Sequence, residues 1–392
     1  MATGTANPMV TIDDPARLAG FVDECRADGR PIVDYGVAHE GVGHAPPLEH
    51  ARLVQAGGII EHYLRDMTVR VAAGMTIADL QAALGAHRQF LPVDADGDLT
   101  VGEVIQHHVY GPMRASYGSV RDLLLGLRYI DGQARDISAG GRTVKNVAGY
   151  DLTRFMVGGL GQFGLVHEAT LRTYAIPKQV TLVELEMSSA PTLDASVRAW
   201  MITDAVPALA WLERREGSWI ATVGYLGTPR SCEVQRACLQ KLAAEGEGVN
   251  VRDARNESLE DYVRERTRGR SWRRSHAAVV KVVVAPKQTG AFCARIAERQ
   301  TGLDGLSIEA QPIHGCVFLG GEAGEDEARG LDEDIRETLE STGGFRVWYR
   351  RPVPHIEPFH PEQPDWSMLA RLKQSMDPDD LFNPGRLLGG RA

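Results

Sequence analysis

Cysteine is scarce in this chain, and its cysteines stand far apart. The five are Cys25, Cys232, Cys238, Cys293 and Cys316, and no two of them form a C-x-x-C pair. An odd number of dispersed cysteines does not fit a disulfide framework, and zinc or iron–sulfur sites need clustered ligands. The sequence therefore predicts free thiols in a reducing compartment and no metal or iron–sulfur centre within this chain.

Long apolar runs are also missing. The most apolar stretch, Ala277 to Ala285, is broken by Lys281 and is too short to span a bilayer. Residues Met1 to Val10 lack the basic start and the apolar block of a signal peptide. We therefore expect a cytoplasmic protein without a transmembrane segment, and peripheral attachment to a membrane through partner subunits stays open.

The chain has no excess of positive charge. Its net charge is −9, so repulsion from phosphate opposes general binding of nucleic acid. The exception is a basic run around Trp272, formed by Arg264, Arg266, Arg268, Arg270, Arg273 and Arg274. Arginine beside an aromatic residue is able to bind single-stranded nucleic acid. Because no nucleic-acid fold signature accompanies the run, we interpret it as a solvated loop or a partner-facing surface.

Helix and strand signals alternate in the first part of the 392-residue chain, which is long enough for two or three domains. Asp14 followed by Pro15 predicts the start of a helix that ends near Gly29. Thr76 with Asp79 three residues later predicts a second capped helix.

A hairpin is predicted between Leu124 and Ile137. Its two β-rich arms flank Asp131-Gly132, a pair that is preferred in tight type I′ turns. Asp151 to Val157 predicts a short helix, and Phe163 to Thr173 predicts a strand. Pro177 then marks the expected domain boundary.

After Pro177 the pattern changes to larger units of mixed strands and helices. The predicted strands are two around Glu216-Gly217 between Ala208 and Tyr225, then Ala277–Val284, Ile308–Leu319 and Phe345–Arg350. The predicted helices are Cys232–Ala244, Gly290–Gln300, Glu327–Ser341 and Trp366–Ser375. Antiparallel strands with helices on one face are typical of the α+β fold class.

A glycine-rich stretch carries the main chemical signal. Glycines at positions 149, 158, 159, 161 and 164 follow Lys145 and allow the backbone to approach a flat ligand closely. Backbone N–H groups and a lysine are able to stabilise the negative charge of a reduced flavin. On spacing alone, simple turns are the better interpretation, because no phosphate-loop or dinucleotide fingerprint is present.

Motifs around these glycines give a more specific indication. They are Y-G-S-V-R-D at 117–122, K-N-V-A-G-Y-D-L at 145–152, M-V-G-x-x-G-x-x-G-x-V at 156–166 and D-P-x-x-L-F-N-P-G-R at 377–386. In this order they resemble the FAD-binding subunits of glycolate oxidase, which belong to the flavin family named for p-cresol methylhydroxylase and vanillyl-alcohol oxidase. The dense part of the resemblance covers residues 110–180 and the C-terminal segment.

The resemblance implies a fold, a reaction and partners. Residues 1–177 would form an FAD-binding domain of two small subdomains, 178–365 an α+β cap, and 366–392 a helix and tail that return to the FAD domain. The implied reaction is transfer of the C2 hydride of a small 2-hydroxy acid such as glycolate to flavin N5. The implied partners are a second flavin subunit and an iron–sulfur subunit.

Site residues also follow from the resemblance. The cofactor-binding candidates are Gly36, Gly41, Gly43, Gly102, Gly111, Tyr117, Gly118, Lys145, Asn146, Val147, Gly149, Tyr150, Asp151, Gly164, Val166, Asn383 and Arg386. The candidates for the base that takes the hydroxyl proton are Tyr150, His107 and His108. The candidates for a cation that holds the substrate carboxylate are Lys145, Arg351 and Arg386.

The sequence departs from the family pattern in both loops expected at the pyrophosphate. The first, Asp34 to His44, lacks consecutive glycines, and in the second Glu103 replaces a glycine. A carboxylate beside a pyrophosphate would be repulsive by about 1 to 4 kcal/mol unless it swings outward. Bulky His107, His108 and Tyr110 also replace small residues. These departures leave open a non-catalytic assembly subunit with weak or lost FAD binding, and covalent flavin attachment through His39, His44, His107 or His108.

Late polar residues have open interpretations. His355, Glu357 and His360 are near one another, but their spacing fits no zinc pattern and the surrounding prolines favour an extended loop. Arg346, Arg350 and Arg351 lie on or just after a predicted strand. They fit either a clamp for a substrate carboxylate or surface charge on an edge strand.

Overall fold

A computed structural model describes residues 9–12, 14–34, 51–141, 151–299, 305–353, 355–362 and 365–387. The chain divides into two compact units. The first comprises the described parts of Met1–Tyr110, Tyr117–Ala175 and Glu362–Ala392, and the second those of Gly111–Ser116 and Ile176–Pro361. Within the described ranges, every helix is too short or too polar to cross a bilayer.

The elements up to residue 175 are short. The strands are β1 Met9–Ile12, β2 Ile32–Asp34, β3 Ala51–Gln55, β4 Gly57–Tyr63, β5 Thr68–Ala73, β6 Gln89–Phe90, β7 Leu124–Ile130, β8 Asp136–Gly140, β9 Leu165–Arg172 and β10 Tyr174–Ala175. The helices are α1 Pro15–Ala27, α2 Ile77–Gly85, α3 Val101–Gln106, α4 Arg114–Tyr117, α5 Val120–Leu123 and α6 Leu152–Met156. The predicted helix starts are confirmed, because Asp14 caps α1 and Thr76 caps α2 through side-chain oxygens.

Two main sheets organise the first unit. A parallel sheet has the order β1-β3-β2 and packs with α1, whose Leu18, Val22 and Cys25 are buried. An antiparallel sheet has the order β4-β5-β9-β7-β8, and β6 pairs separately with β10. Aliphatic side chains from α2, α3 and the antiparallel sheet share one core.

The predicted hairpin exists as β7 and β8, but its type I′ turn is wrong. Residues 131–135 form a longer loop, in which Asp131 Oδ1 accepts hydrogen bonds from the backbone N–H groups of Gln133 and Arg135, each at 2.9 Å. The positive φ in this loop belongs to Ala134. Gly132 is needed for another reason, since a Cβ there would lie 2.6 Å from Cα of Asp377.

The second unit contains longer elements. The strands are β11 Gln179–Met187, β12 Leu209–Arg215, β13 Ser218–Gly227, β14 Val249–Glu257, β15 Ala278–Val283, β16 Ser307–Gln311, β17 Cys316–Gly321, β18 Phe345–Arg350 and β19 Phe359–His360. The helices are α7 Ala190–Met201, α8 Pro229–Glu245, α9 Leu259–Gly269, α10 Trp272–Ser275, α11 Thr289–Arg299 and α12 Glu325–Thr342, and the last helix of the chain is α13 Trp366–Met376 in the first unit.

One antiparallel sheet spans the second unit. Its order is β14-β11-β13-β12-β16-β17-β15-β18-β19, and side chains of α7, α8, α11 and α12 join its core. Val223 from β13, Leu239 from α8 and Phe292 from α11 are fully buried in that core. The α+β expectation is therefore confirmed, and so are the strands predicted around Glu216-Gly217.

The basic run is not the solvated loop or partner surface that we expected from its sequence. It lies on α9 and α10, where Arg264 and Arg268 are exposed but Arg266 and Arg270 are buried. Arg266 binds Glu309 at 2.6 Å, and Arg273 lies 2.8 Å from the same carboxylate. Although burial by itself raises the pKa of Glu309, these guanidinium groups lower it to about 2. The run therefore includes arginines that pair with a buried carboxylate of the sheet, Glu309 of β16.

Two of the late arginines, Arg346 and Arg351, also make structural contacts within the second unit. Arg346 is fully buried and binds Asp332 of α12 at 2.6 Å, so it is neither edge-strand surface charge nor a free clamp. Arg351 donates to the carbonyl of Ile356 at 2.6 Å. Within the described ranges, which include His355, no three His, Cys, Asp or Glu side chains form a group that could hold a metal ion.

A buried hydroxyl in the second unit gives a prediction of stability. Thr222 Oγ1 is buried without a hydrogen-bond partner among the described residues, whereas Thr181 Oγ1 donates to Asn256 Oδ1 at 2.7 Å. Thr222→Val is expected to raise the free energy of unfolding by about 1 kcal/mol, and Thr181→Val to lower it by a similar amount. Urea titrations of both variants check this. Equal destabilisation by the two substitutions would contradict it.

Candidate functional site

A glycine loop at residues 157–164 follows α6 and rests on the C-terminal end of α3. The Gly158 N–H donates to the Ile105 carbonyl at 3.0 Å, and the Leu160 N–H donates to the Gln106 carbonyl at 3.1 Å. The buried Gln106 side chain accepts from the Gly161 N–H at 2.9 Å. The loop is therefore fixed by a helix end that precedes it by about fifty residues.

Positive φ angles explain the glycines of this loop. Gly158, Gly161 and Gly164 have φ values of +81°, +71° and +144°, which side chains disfavour. A Cβ on Gly164 would also lie 2.6 Å from the Tyr129 ring. Val166, the next site candidate, is buried in the core opposite Tyr129 of β7. These angles agree with the interpretation of the glycines as turns, and the close approach of this backbone to a flat ligand stays a prediction.

The C-terminal tail joins the parallel sheet of the first unit. The Ile32 N–H donates to the Leu381 carbonyl at 2.7 Å, and the Asn383 N–H donates to the Ile32 carbonyl at 2.9 Å. This segment therefore runs parallel to β2, with Phe382 beside Ile32.

A buried ion pair holds the start of the tail. Asp377 accepts from Lys373 Nζ at 2.5 Å and from the backbone N–H groups of Leu381 and Phe382 at 3.0 and 2.8 Å. Lys373 also donates to the Phe382 carbonyl at 3.0 Å. Lys373 and Asp377 are both buried, so this pair is the physical basis of the aspartate in the C-terminal motif.

Asn383 joins the tail to the glycine loop. Its Nδ2 donates to the Gly161 carbonyl at 3.1 Å, while its Oδ1 is buried without a hydrogen-bond donor in the part of the chain that the structure describes. Arg386 lies one turn further along, with its N–H on the Asn383 carbonyl, and it is buried. The structure thus brings Asn383 to the glycine loop and places Arg386 three residues beyond it in the tail. We call the contacts of Gln106, Gly161 and Asn383 the junction.

The two candidate histidines at the end of α3 have different surroundings. His107 is buried, whereas His108 is half-buried and has a strained backbone φ of +49°. A Cβ on Gly158 would lie 3.5 Å from Cβ of His108, so this histidine lies against the glycine loop. His108 Nε2 is 3.1 Å from Ser119 Oγ.

The side chain of Glu103 is engaged at the start of its own helix. Its side chain accepts from the Thr100 N–H at 2.5 Å, and its own N–H donates to Thr100 Oγ1 at 3.1 Å, which makes a capping box at the start of α3. Gly102 packs close to β5, since a Cβ there would lie 3.3 Å from the Ala73 carbonyl oxygen. The Glu103 carboxylate, which we expected to repel a pyrophosphate, is therefore engaged in the cap of its own helix.

This arrangement predicts the effect of removing the carboxylate. Glu103→Ala is expected to lower the free energy of unfolding by about 1 kcal/mol through loss of the cap. FAD affinity is expected to stay within about two-fold, a change well below 1 kcal/mol, because the carboxylate is engaged in the capping box. Chemical denaturation and an FAD titration check both parts. A ten-fold or larger gain in affinity would show that Glu103 does repel the pyrophosphate.

Other predicted residues have local structural roles as well. Tyr117 packs edge-on against Phe90 and Tyr174 at centroid distances of 5.5 and 4.8 Å, and burial raises the pKa of its hydroxyl. Gly118 has a φ of +80°. The Gly111 carbonyl accepts from the Arg114 N–H at 3.0 Å.

Asp151 begins α6, as the sequence predicted. Its carboxylate accepts from the Thr153 hydroxyl at 2.5 Å and from the Arg154 N–H at 3.1 Å, and these contacts lower its pKa. Several predicted residues lie outside the described ranges. They are Gly36, Gly41, Gly43, Lys145, Asn146, Val147, Gly149 and Tyr150, together with His39 and His44.

Sequence reasoning missed residues that the structure adds to the site. Gln106 supports the glycine loop, Lys373 holds the tail, and Ser119 contacts His108. Ser119 lies within the Y-G-S-V-R-D motif, and its place in that motif could have indicated it as a site residue. Gln106 and Lys373 belong to no such motif. Gln106 acts on Gly161, 55 residues away in sequence, and Lys373 donates to a main-chain carbonyl, that of Phe382.

Comparison with known proteins agrees with this geometry. The family model described as FAD binding domain matches residues 7–139. Glycolate oxidase subunit GlcE of Escherichia coli K12 is 33% identical over 134 residues, which cover 33% of this chain and 38% of that protein. Glycolate oxidase subunit GlcD of Bacillus subtilis is 24% identical, covering 96% and 87%.

A dehydrogenase and a solved structure extend the comparison. The mitochondrial D-lactate dehydrogenase [cytochrome] of Arabidopsis thaliana is 22% identical, covering 95% of this chain and 71% of that protein. A solved alkyldihydroxyacetonephosphate synthase superposes with a TM-score of 0.73 at 12% identity, covering 96% of this chain and 75% of that one. At that identity the superposition shows a shared fold alone.

The described residues fit an FAD. The buried Oδ1 of Asn383 offers an acceptor beside the glycine loop, where Gly158 and Gly161 keep the backbone free of side chains. Glu103 is engaged at the start of its own helix. With the FAD binding domain matched over residues 7–139 and the relatives above, these features support an FAD-binding protein of the glycolate oxidase type.

Proposed function

We propose that the protein is a subunit that oxidises a small 2-hydroxy acid such as glycolate, with FAD as its cofactor. The observation that carries the proposal is the position of His108, which belongs to the matched FAD binding domain and lies against the glycine loop that the junction holds. The names of the relatives, glycolate oxidase and D-lactate dehydrogenase, supply the substrate class. FAD, when bound, supplies the acceptor at N5 for the hydride that leaves C2 of the substrate.

His108 is our preferred base for the hydroxyl proton. It is half-buried beside the glycine loop, whereas His107 is buried and Tyr150 lies outside the described residues. An imidazole is suited to accept a proton near neutral pH. The glycine loop and Asn383 would hold the cofactor through backbone and amide groups.

The surroundings of the candidate cations leave fewer of them to bind the substrate carboxylate. Arg386 is bound through its N–H to the carbonyl of Asn383, a junction residue, while Arg351 belongs to the second unit and donates to the carbonyl of Ile356. We therefore prefer Arg386, with Lys145 outside the described residues as the other choice. A guanidinium suits this task because it binds a carboxylate in bidentate fashion.

We also propose the domain roles and partners that the sequence implied. Residues 1–177 and 366–392 would form the FAD domain, and 178–365 the cap. A second flavin subunit and an iron–sulfur subunit would complete the assembly, since the relatives named GlcD and GlcE are subunits. All five cysteines here are free thiols, so an iron–sulfur cluster would belong to a partner.

The alternative of a non-catalytic assembly subunit loses its main support. It depended on Glu103 repelling the pyrophosphate, and that carboxylate is committed to the cap of α3. Of the three bulky residues, His107 and Tyr110 are buried, and His108 is half-buried beside the glycine loop.

Anaerobic mixing tests the proposed function. The purified holoprotein is mixed with glycolate, D-lactate or L-lactate, and the visible absorbance of its flavin is followed in time. Bleaching by at least one 2-hydroxy acid is expected, with no bleaching by acetate, which lacks the hydroxyl group. A flavin that stays oxidised with every 2-hydroxy acid, both alone and after addition of the partner subunits, would overturn the proposal.

A further inference from the structure

A short chain of polar groups leads away from the His108 ring. His108 Nε2 lies 3.1 Å from Ser119 Oγ, and the Ser119 hydroxyl donates to Asp122 Oδ2 at 3.1 Å. A serine hydroxyl has one proton. Because that proton is directed to the carboxylate, the hydrogen bond between the ring and Ser119 must be donated by Nε2–H.

The direction of these bonds selects one form of the neutral imidazole. A proton fixed on Nε2 leaves the basic lone pair on Nδ1. Ser119 is buried and Asp122 is exposed, so the chain runs from the half-buried ring to the protein surface. Asp122 also accepts from the Ser119 N–H at 2.9 Å, which fixes the serine before it contacts the histidine.

The backbone at His108 supports a positioning role for these contacts. Its φ of +49° is uncommon for a residue other than glycine, although histidine, asparagine and aspartate adopt it more often than other side chains. Bonds from the His108 N–H to the Ile105 carbonyl and from the Val109 N–H to the Val104 carbonyl hold this conformation. Strained backbone of this kind persists where the surrounding structure over-determines it, and it clusters at functional sites.

We propose that Ser119 and Asp122 are positioning residues for His108, which hold its Nε2–H tautomer and keep Nδ1 as the base for the substrate hydroxyl. This inference rests on the proposed function for its catalytic meaning. Nδ1 would accept the hydroxyl proton of the substrate, which would make the ring an imidazolium with Nε2–H still bound to Ser119, and FAD, when bound, would supply the acceptor for the C2 hydride.

A structural role alone is the competing explanation, because Ser119 and Asp122 also form the capping box of α5. The chain contains a matched control for that role. Thr76 and Asp79 form a similar box at α2, with Asp79 N–H to Thr76 Oγ1 at 3.1 Å and Thr76 Oγ1 to Asp79 Oδ2 at 2.7 Å. Thr76→Ala and Asp79→Asn therefore remove a cap while leaving the surroundings of His108 intact.

The test measures both the tautomer and turnover in the full-length holoprotein. Ring nitrogen-15 NMR assigns the His108 signals by their loss in His108→Asn. Ser119→Ala and Asp122→Asn are expected to convert a pure Nε2–H form into a mixture of tautomers. Both are also expected to lower kcat by about ten-fold or more with KM nearly unchanged. Ser119→Thr, which retains the hydroxyl, is expected to restore both properties.

The outcomes separate this inference from the proposed function. Unchanged His108 tautomer signals in Ser119→Ala would overturn the positioning role even in an active enzyme. Equal loss of kcat in Ser119→Ala and Thr76→Ala would also overturn it, since a lost cap would then suffice. Absence of turnover in the wild-type protein, with the Nε2–H signal present, would instead count against the proposed 2-hydroxy acid oxidation.

Discussion

His108→Asn is expected to lower kcat for oxidation of a 2-hydroxy acid by about 10²- to 10⁴-fold, which is the usual contribution of a general base. Asparagine tolerates the positive φ at this position, so the backbone at the end of α3 should survive. The amide cannot accept the hydroxyl proton as an imidazole does. FAD is expected to remain bound, because the junction contacts of Gln106, Gly161 and Asn383 are untouched.

The measurement is the rate of anaerobic flavin reduction, compared with a matched histidine variant. His62 lies in the same unit, where its Nε2 is 3.1 Å from Gln89 Oε1 and away from the glycine loop. His62→Asn should reduce its flavin at close to the wild-type rate. If His108→Asn also reduced at the wild-type rate with FAD bound, His108 would not be the base, and Tyr150 would become the remaining candidate of the three.

Asp377→Ala is expected to lower the free energy of unfolding by about 3–5 kcal/mol, because it leaves the buried Lys373 ammonium without its carboxylate. It also removes the acceptor for two backbone N–H groups, those of Leu381 and Phe382. These residues place Asn383 at the glycine loop. FAD retention is therefore expected to fall together with stability.

Asp380 provides the control for this prediction. It lies 3.0 Å from the same Lys373, but its side chain is 47% exposed, and asparagine tolerates its positive φ, so Asp380→Asn should cost less than about 1 kcal/mol. Urea denaturation and the FAD content after gel filtration measure both variants. A loss of stability in Asp377→Ala no larger than that in Asp380→Asn would show that the buried pair does not hold the tail.

Local rules predicted the parts of the fold that depend on neighbours in sequence. Asp14, Thr76 and Asp151 were identified as helix starts because a capping side chain acts on backbone N–H groups two or three residues later. Strands around Glu216-Gly217 followed in the same way, since both turn residues take positive φ.

Contacts between distant residues explain the failures. The type I′ turn at Asp131-Gly132 was wrong because Gly132 serves the close approach of Asp377 rather than the turn. The basic run was misjudged because Glu309, which accepts from Arg266 at 2.6 Å, lies 43 residues away. No local pattern signals such a partner.

The candidate site shows the same division. Its motifs indicated the glycine loop and the C-terminal tail, and the structure brings Asn383 to Gly161 across 222 positions of sequence. The pattern did not indicate that Gln106 supports the loop or that Glu103 turns back to cap α3. Both contacts depend on the directions of side chains, which the amino-acid sequence alone does not specify.

The FAD content of the purified full-length protein tests the central claim most directly. The protein is purified, its visible spectrum is recorded, and released flavin is quantified before and after incubation with excess FAD. The account predicts flavin absorption bands with stoichiometric FAD, and a marked loss of FAD in Asn383→Ala with the fold retained. A colourless wild-type protein that cannot be reconstituted with FAD would contradict it.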